Sequence, residues 1–203
     1  MVKLVYGVGI NDANYVTQLS EELGYVDGVR KRKLVWICPF YQAWRDMLGR
    51  GYSERCKLKR PTYRGVTVCE DWWLFSTFRL WMEQQDYKGN HLDKDLLIRG
   101  NKVYCPEACV FISAQVNTFM AERCGDRGEY KIGVYWVKKD CKFTAQCSNP
   151  FTNKQENLGR FLTEEAAHRA WLSKKLEHAK ALSALQTNEM VAKALVDRYE
   201  NYS

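Results

Sequence analysis

The chain has 203 residues, 46% of them hydrophobic and 27% charged, with a formal net charge of +7 at pH 7. This hydrophobic content supports a packed core and excludes global disorder, and the length allows one domain or two small ones. With no secretory signal and no apolar run of the roughly 18–20 residues that span a bilayer, we expect a soluble, cytoplasmic protein without a membrane partner. The excess of basic residues is compatible with a nucleic-acid partner but does not require one.

The N-terminal pattern begins with helical spacing. Tyr15, Leu19 and Leu23 recur every four residues, which predicts a helix over 12–23. A basic run then leads into an apolar, strand-like stretch over 28–36.

This basic run has two interpretations. It can be the solvated face of a loop, or Arg30, Lys31 and Arg32 can contact the phosphates of a nucleic acid. The residue pattern alone does not separate the two.

An amphipathic helix is predicted next, over 39–50. Pro39 suits a first helical turn, and Gly49 and Gly51 are expected to end the helix. Its apolar face consists of Tyr41, Trp44, Met47 and Leu48.

The middle of the chain combines strand-like and helical segments. Alternation predicts a strand over 65–72, and aromatic residues at helical spacing predict a core helix over 72–82. Residues 109–112 are strand-like, and Ser113 is suited to cap a helix over 113–124.

The C-terminal part has the pattern of a small sheet followed by long helices. Two alternating strands are predicted within 132–148, with Lys138–Asp140 as their turn, and 158–161 is a third short strand. Thr163 is followed by two acidic residues and predicts a helix N-cap. The helical pattern then continues almost to the end of the chain, with a break near Thr187–Asn188.

The glycine-rich, charged segment 124–130 is the best candidate for a linker. These elements together predict the α+β class, with one domain over 1–125 and a second over 130–203.

We expect the eight cysteines to be reduced thiols. Disulfide-rich chains are usually exported, and no export signal is found. Zinc usually takes close pairs such as C-x2-C, whereas three residues separate Cys105 from Cys109 and five separate Cys141 from Cys147. We expect mainly buried thiols and no zinc.

A run of polar residues in the middle of the chain carries a resemblance to a known family. The matching positions are Asp93, Lys94, Asp95, Asn101, Cys109–Ser113 and Asn117. Their order resembles the HNH, or His-Me finger, motif of phage-type endonucleases, in which a hairpin carries an Asp-His pair and a short strand leads into a helix bearing a metal ligand. The resemblance implies a small ββα-metal unit with flanking helices.

That resemblance implies metal-dependent cleavage of DNA. Asp93 and Asn117 match the metal-binding positions and would hold Mg²⁺, which stabilises the scissile phosphate. Lys94 stands where the family has its proton-accepting His, and a protonated lysine suits phosphate contact better than proton abstraction. The base would then be Asp95, a metal-bound water or His91, although positions 91 and 94 of one strand face opposite sides.

A second resemblance covers the C-terminal part. The matching positions are Gly133-Val134, Lys138–Lys142, Phe143, Ala145, Leu158-Gly159, Phe161 and Thr163–Ala167. They are similar to the Apetala/ethylene-response type of DNA-binding domain, which also occurs fused to phage HNH endonucleases. The resemblance implies a three-stranded antiparallel sheet, packed on a long helix, that enters the DNA major groove.

The same resemblance implies which sheet residues meet DNA. Because successive residues of a strand face opposite sides, the matching positions cannot all do so, and Tyr135, Phe143 and Cys147 are the candidates for the core. The residues expected to contact DNA are Trp136, Lys138, Lys142 and Gln146.

Together the two resemblances predict a homing-type endonuclease that binds double-stranded DNA and cleaves or nicks it with Mg²⁺. The alternative is a catalytically inactive, nuclease-derived protein that binds DNA, or a host protein, as a regulator or inhibitor.

Overall fold

A computed structural model of the chain describes residues 3–121 and 129–202. They form an α+β protein, which confirms the predicted class. The chain divides into two compact units, one up to Phe111 and the other from Ile112 onward. This division precedes the 125–130 boundary expected from the sequence, and residues 124–128 of the expected linker lie outside the described residues. No helix in the described ranges is both long and apolar enough to cross a membrane.

The first unit contains short strands and helices. In chain order they are β1 (Gln18–Val26), β2 (Val29–Ile37), α1 (Pro39–Tyr52), α2 (Glu54–Lys59), β3 (Thr67–Val68), α3 (Phe75–Glu83), β4 (His91–Asp93), β5 (Val103–Tyr104) and β6 (Val110–Ile112). β1 pairs with β2, β3 runs parallel to β5, and β4 pairs with β6.

The helix predicted over 12–23 is wrong, because residues 12–17 form neither helix nor strand and β1 begins at Gln18. β1 and β2 are joined by Asp27 and Gly28, which both have positive φ, +53° and +73°. An Asp-Gly pair of this kind closes a tight hairpin. Leu19 and Leu23 are exposed on this hairpin, so their four-residue spacing does not mark a buried helical face.

α1 confirms the predicted helix and its buried apolar face, but it does not end at its glycines. It continues through Gly49 and Gly51 to Tyr52. Both glycines are buried, and a Cβ on Gly49 would lie 3.1 Å from the ring of Tyr6. Gly49 therefore serves close packing, and neither glycine terminates the helix.

Aromatic side chains form the core of the first unit. Trp44, Trp72, Phe75 and Phe78 are almost fully buried, and the Trp44 indole Nε1 donates to the Trp72 carbonyl over 2.7 Å. The predicted 72–82 helix begins at Phe75, after a short 3₁₀ turn, and the predicted 65–72 strand is limited to β3. This core fixes α1 and α3 beside β4.

The second unit is a sheet packed on helices. Its elements are α4 (Ala114–Met120), β7 (Val134–Val137), β8 (Lys142–Ser148), β9 (Gln155–Phe161), α5 (Glu164–Ser183) and α6 (Glu189–Glu200). The strands form an antiparallel sheet in the order β7-β8-β9, as predicted. The Oγ1 of Thr163 accepts the N–H of Ala166, and Asn188 caps α6, so both the predicted cap and the predicted break are confirmed.

One close approach sets the distance between β7 and α5. Gly133 has φ +78°, and a Cβ there would lie 2.0 Å from the buried ring of Trp171. Ala145, Cys147 and Ala167 are also almost fully buried. Small side chains thus let α5 lie close against the sheet.

The seven cysteines that the structure describes are free thiols. Cys38, Cys109 and Cys147 are buried, which agrees with the expected packing role, whereas Cys141 is exposed in a left-handed turn with φ +48°. Burial raises the pKa of the Cys109 thiol, so it stays protonated. Cys109 is therefore an inert core residue.

Candidate active site and nucleic-acid interface

β4 places the predicted catalytic residues on two different faces. Leu92 and Lys94 are buried, with 9% and 6% of their surface exposed, whereas His91 is exposed. Alternation along the strand therefore groups His91 with Asp93 and groups Leu92 with Lys94. The expected separation of 91 from 94 agrees with this arrangement.

The Lys94 ammonium is bound to backbone rather than presented to solvent. It donates to the Asn101 carbonyl over 2.8 Å and lies 3.4 Å from an oxygen of Asp95. The Asn101 amide in turn donates to the Lys94 carbonyl over 2.7 Å, so the two residues close the loop between them. Lys94 and Asn101, both matched to the nuclease motif, brace this loop.

Asp93 also orders the chain locally. Its Oδ1 accepts the backbone N–H groups of Asp95 and Leu96 at 3.0 and 2.7 Å. Burial, followed by the proximity of Asp95, raises the pKa of Asp93. A bound cation would relieve both effects.

The donor set at this turn fits Mg²⁺. Asp93 and Asp95 offer carboxylate oxygens, and Mg²⁺ is commonly bound by one or two carboxylates together with substrate phosphates. Within 3–121 and 129–202 no group of three or more His, Cys, Asp or Glu residues converges to hold a metal.

Asn117, the other predicted metal ligand, belongs to the second unit. It is exposed on α4, whose N-cap is Ser113 as predicted, with the Ser113 Oγ accepting the N–H of Val116 over 3.2 Å. Its backbone N–H donates to the Ser113 carbonyl over 2.9 Å. The backbone of Asn117 is thus fixed in the first turns of a capped helix, and its side chain is exposed.

His91 borders a cleft of about 500 Å³ in the first unit. The polar side chains at this cleft include Gln42, Asp46, Arg50 and Lys88. Sequence reasoning missed these residues. The signal was present, because positions 42, 46 and 50 recur at four-residue spacing along α1 and so share one face of the helix.

Hydrogen bonds hold the α1 side of the cleft in place. An Nη of Arg50 lies 3.4 Å from the Leu92 carbonyl and 3.3 Å from the Tyr104 hydroxyl. The Gln42 amide donates to Asp46 over 2.5 Å. Burial raises the pKa of Tyr104 to about 12, so Tyr104 remains a neutral partner of the guanidinium. Arg50 is therefore positioned beside β4 with its charge intact.

The sheet of the second unit does not present the four predicted DNA contacts on one face. Trp136 is opposite Phe143 in the register, and their rings lie 4.7 Å apart. Phe143 alternates with the buried Ala145 and Cys147, so this is the face that packs on α5. Placing Trp136 beside Lys142 and Gln146 was wrong, because the register puts it on the helix side.

The other face of this sheet is polar. In register, Lys142 is opposite Val137, and Thr144 is opposite both Tyr135 and Arg160. Arg160 pairs with Asp140 at 2.7 Å, and Lys138 is exposed in the intervening turn. Lys142 and Gln146 lie on this face by alternation, and Tyr135 joins them rather than the core.

The three predicted phosphate contacts of the first unit lie on β2. Arg30, Lys31 and Arg32 are all exposed, and Arg30 and Arg32 both pair with Glu22 across the hairpin. Lys31 is opposite Gly24 and points to the other face. The basic run is therefore a strand with cations on both faces, rather than a loop.

Comparisons with protein-family models, with curated proteins and with solved structures found no match.

Proposed function

We propose that this protein binds double-stranded DNA and hydrolyses its phosphodiester bonds with a divalent cation. The observation that carries the proposal is that His91 lines a cleft together with Arg50 and Lys88. Asp93 is not part of the cleft lining, but alternation along β4 puts it on the same face of the strand as His91. A proton acceptor, a carboxylate and two cations are the groups that phosphodiester hydrolysis requires.

In this proposal each residue has one task. His91 takes the proton from the attacking water, and Arg50 and Lys88 bind the phosphate oxygens. Asp93 and Asp95 would hold Mg²⁺, whose charge stabilises the phosphate and the leaving oxygen when it is bound. Lys94 does not act on the substrate, because its ammonium is bound to the loop that follows β4.

Conversion of supercoiled plasmid in Mg²⁺ or Mn²⁺ tests the proposal. We expect cleavage by the wild type, a loss of about 10²–10⁴-fold in His91→Ala, and no cleavage in Asp93→Asn. Asp27→Asn is the matched control, because it removes one carboxylate at the hairpin turn and Asn tolerates the left-handed conformation found there. Equal cleavage by His91→Ala and the wild type would contradict the role of His91.

A second candidate function is DNA binding without cleavage. The buried, backbone-bound ammonium of Lys94 favours it, because that position is where the nuclease motif has its base. On this interpretation the wild type retards DNA on a gel but leaves plasmid intact, and Lys94→His raises cleavage. Cleavage by the wild type would rule this candidate out.

A further inference from the structure

We propose that the cleft beside β4 binds a single nucleotide of DNA, with its phosphate at the cations and its base against the aromatic wall. This inference rests on the proposed function, and it adds the form in which the substrate is held. The cleft, about 500 Å³ in volume, lies within the range of pockets that enclose small molecules.

The polar part of the cleft suits a phosphate. Arg50, Lys88 and His91 line it, against one carboxylate, Asp46. Arg50 is held by the Leu92 carbonyl and the Tyr104 hydroxyl, so its planar group is ordered before a ligand arrives. An ordered guanidinium and a mobile lysine form a common combination for binding phosphate.

The apolar part of the cleft suits a base. Tyr87, Phe111, Met82 and Pro39 line it. The Tyr87 and Phe111 rings lie 6.4 Å apart, and Tyr87 also packs against Phe40 at 5.0 Å. Tyr87 is only half-buried, so part of its ring is available for stacking. Stacking on an aromatic ring accepts any base, and contributes about 1–3 kcal/mol per base.

Two amides can read the edge of a base. Gln42 and Asn90 line the same cleft. The Asn90 amide donates to the Asp86 carbonyl over 2.7 Å, and the Gln42 amide donates to Asp46. Each side chain thus has a fixed orientation. The Asn90 carbonyl oxygen can accept from a base amino group, whereas the Gln42 carbonyl oxygen already accepts from Arg45 over 3.2 Å and has one lone pair left for a base. A phosphate end, a stacking wall and oriented amides are together the features of a nucleotide site rather than of a simple anion site.

Because a base inside a duplex cannot reach such a wall, the nucleotide must leave the stack. Binding of 5′-dAMP to the full chain, followed by calorimetry or ligand-observed NMR, tests the pocket without requiring cleavage. We expect dAMP to bind at least tenfold more tightly than deoxyadenosine or inorganic phosphate alone. We expect Lys88→Ala and Tyr87→Ala each to weaken it about tenfold, Tyr87→Phe to restore binding, and Lys59→Ala, an exposed lysine on α2, to leave it unchanged.

A DNA duplex that carries a single 2-aminopurine tests whether the cleft takes a nucleotide from within DNA, because the fluorescence of this base rises when it leaves the stack. We expect its fluorescence to rise when the wild type binds and to stay low with Tyr87→Ala. Absence of dAMP binding, or binding that Lys88→Ala and Tyr87→Ala do not change, would overturn the pocket even if plasmid is still cleaved. Binding of dAMP without any fluorescence change would overturn its role on DNA, whereas dAMP binding without plasmid cleavage would refute only the hydrolysis proposed above.

Discussion

Asp93 and Lys94 are neighbours in sequence, yet the surroundings compensate the buried charge of Lys94 and disfavour the charged form of Asp93. The Lys94 ammonium is buried with a carbonyl and the Asp95 carboxylate beside it, which offsets the cost of removing the charge from water. The Asp93 carboxylate accepts two backbone N–H groups but faces the like charge of Asp95. The motif therefore combines a cation with bound partners, Lys94, and a carboxylate, Asp93, whose charged form is disfavoured by burial and by Asp95.

Substitution of Asp93 separates its turn-forming role from its charge. Because the folded pKa is raised, the folded state binds the proton more tightly than the unfolded chain, and stability present at low pH is lost as pH rises through the folded pKa. Asp93→Asn keeps an oxygen for the turn and removes the charge. Without divalent cations we expect it to be more stable than the wild type at pH 7 and no more stable at pH 3.

Urea unfolding at both pH values measures this difference. Asp93→Ala is the matched variant, because it removes the acceptor of two N–H groups and is expected to lose about 1–3 kcal/mol at either pH. If the free energy of unfolding has the same pH dependence in the wild type and in Asp93→Asn, folding does not raise the pKa of Asp93.

Gly133 provides a second residue-scale test. Gly133→Ala forces a Cβ against the Trp171 ring and also makes a non-glycine residue adopt φ +78°. Overpacking of this kind costs about 1–3 kcal/mol, and the conformation adds roughly 1 kcal/mol. The matched control is Gly100→Ala, with φ +76° and nothing within 4 Å of the added Cβ. Urea unfolding measures the loss of stability. If the free energy of unfolding falls equally in the two variants, the contact with Trp171 does not add to the cost of Gly133→Ala.

At the element scale, the helix caps that depend on local chemistry were predictable, whereas the strand β1 was predicted as a helix. Ser113, Thr163 and Asn188 cap helices where the sequence indicates a cap or a break. Interpretations that depend on packing failed. Gly49 was interpreted as a helix end because glycine is a weak helix former, whereas inside α1 it lies close to the Tyr6 ring, where a Cβ would be a tight contact.

The faces of the three-stranded sheet show the same limit. Alternation separates Tyr135 from Trp136 but does not say which of them the helix covers. The small residues Ala145 and Cys147 mark the covered side, and that signal was in the sequence. The cleft beside β4 was not predictable in the same way, because residue 91 joins α1 only through the tertiary fold.

The polar face of this sheet leads to a prediction about DNA binding. We expect Lys138→Ala with Lys142→Ala to weaken binding and to reduce the slope of log affinity against log salt by about 1–2, because each phosphate contact contributes roughly 0.9. Lys154→Ala is the control, since this lysine is exposed just before β9. Fluorescence anisotropy at several salt concentrations measures the slope, and an unchanged slope would remove this sheet from the DNA interface.

At the scale of the whole molecule, exposed cations occur in both units. β2 carries Arg30, Lys31 and Arg32 in the first unit, and Lys138 and Lys142 lie in the second. The net charge of +7 is thus spread along the chain rather than concentrated in one tail. Composition could predict a cationic protein of two parts, but not which faces the cations occupy, because that depends on strand register.

If both units hold one duplex at the same time, their contributions to counterion release add. We expect Arg30→Ala, Lys31→Ala and Arg32→Ala together to reduce the slope of log affinity against log salt by about 1–2. This is less than the roughly 2.7 of three full phosphate contacts, because Glu22 already pairs with both arginines. Combined with Lys138→Ala and Lys142→Ala, the reduction should equal the sum of the two sets. Arg30→Lys with Arg32→Lys keeps the charge and should keep the slope. If the five-residue variant reduces the salt slope no more than the more strongly affected of the two separate sets, only one unit contacts DNA at a time.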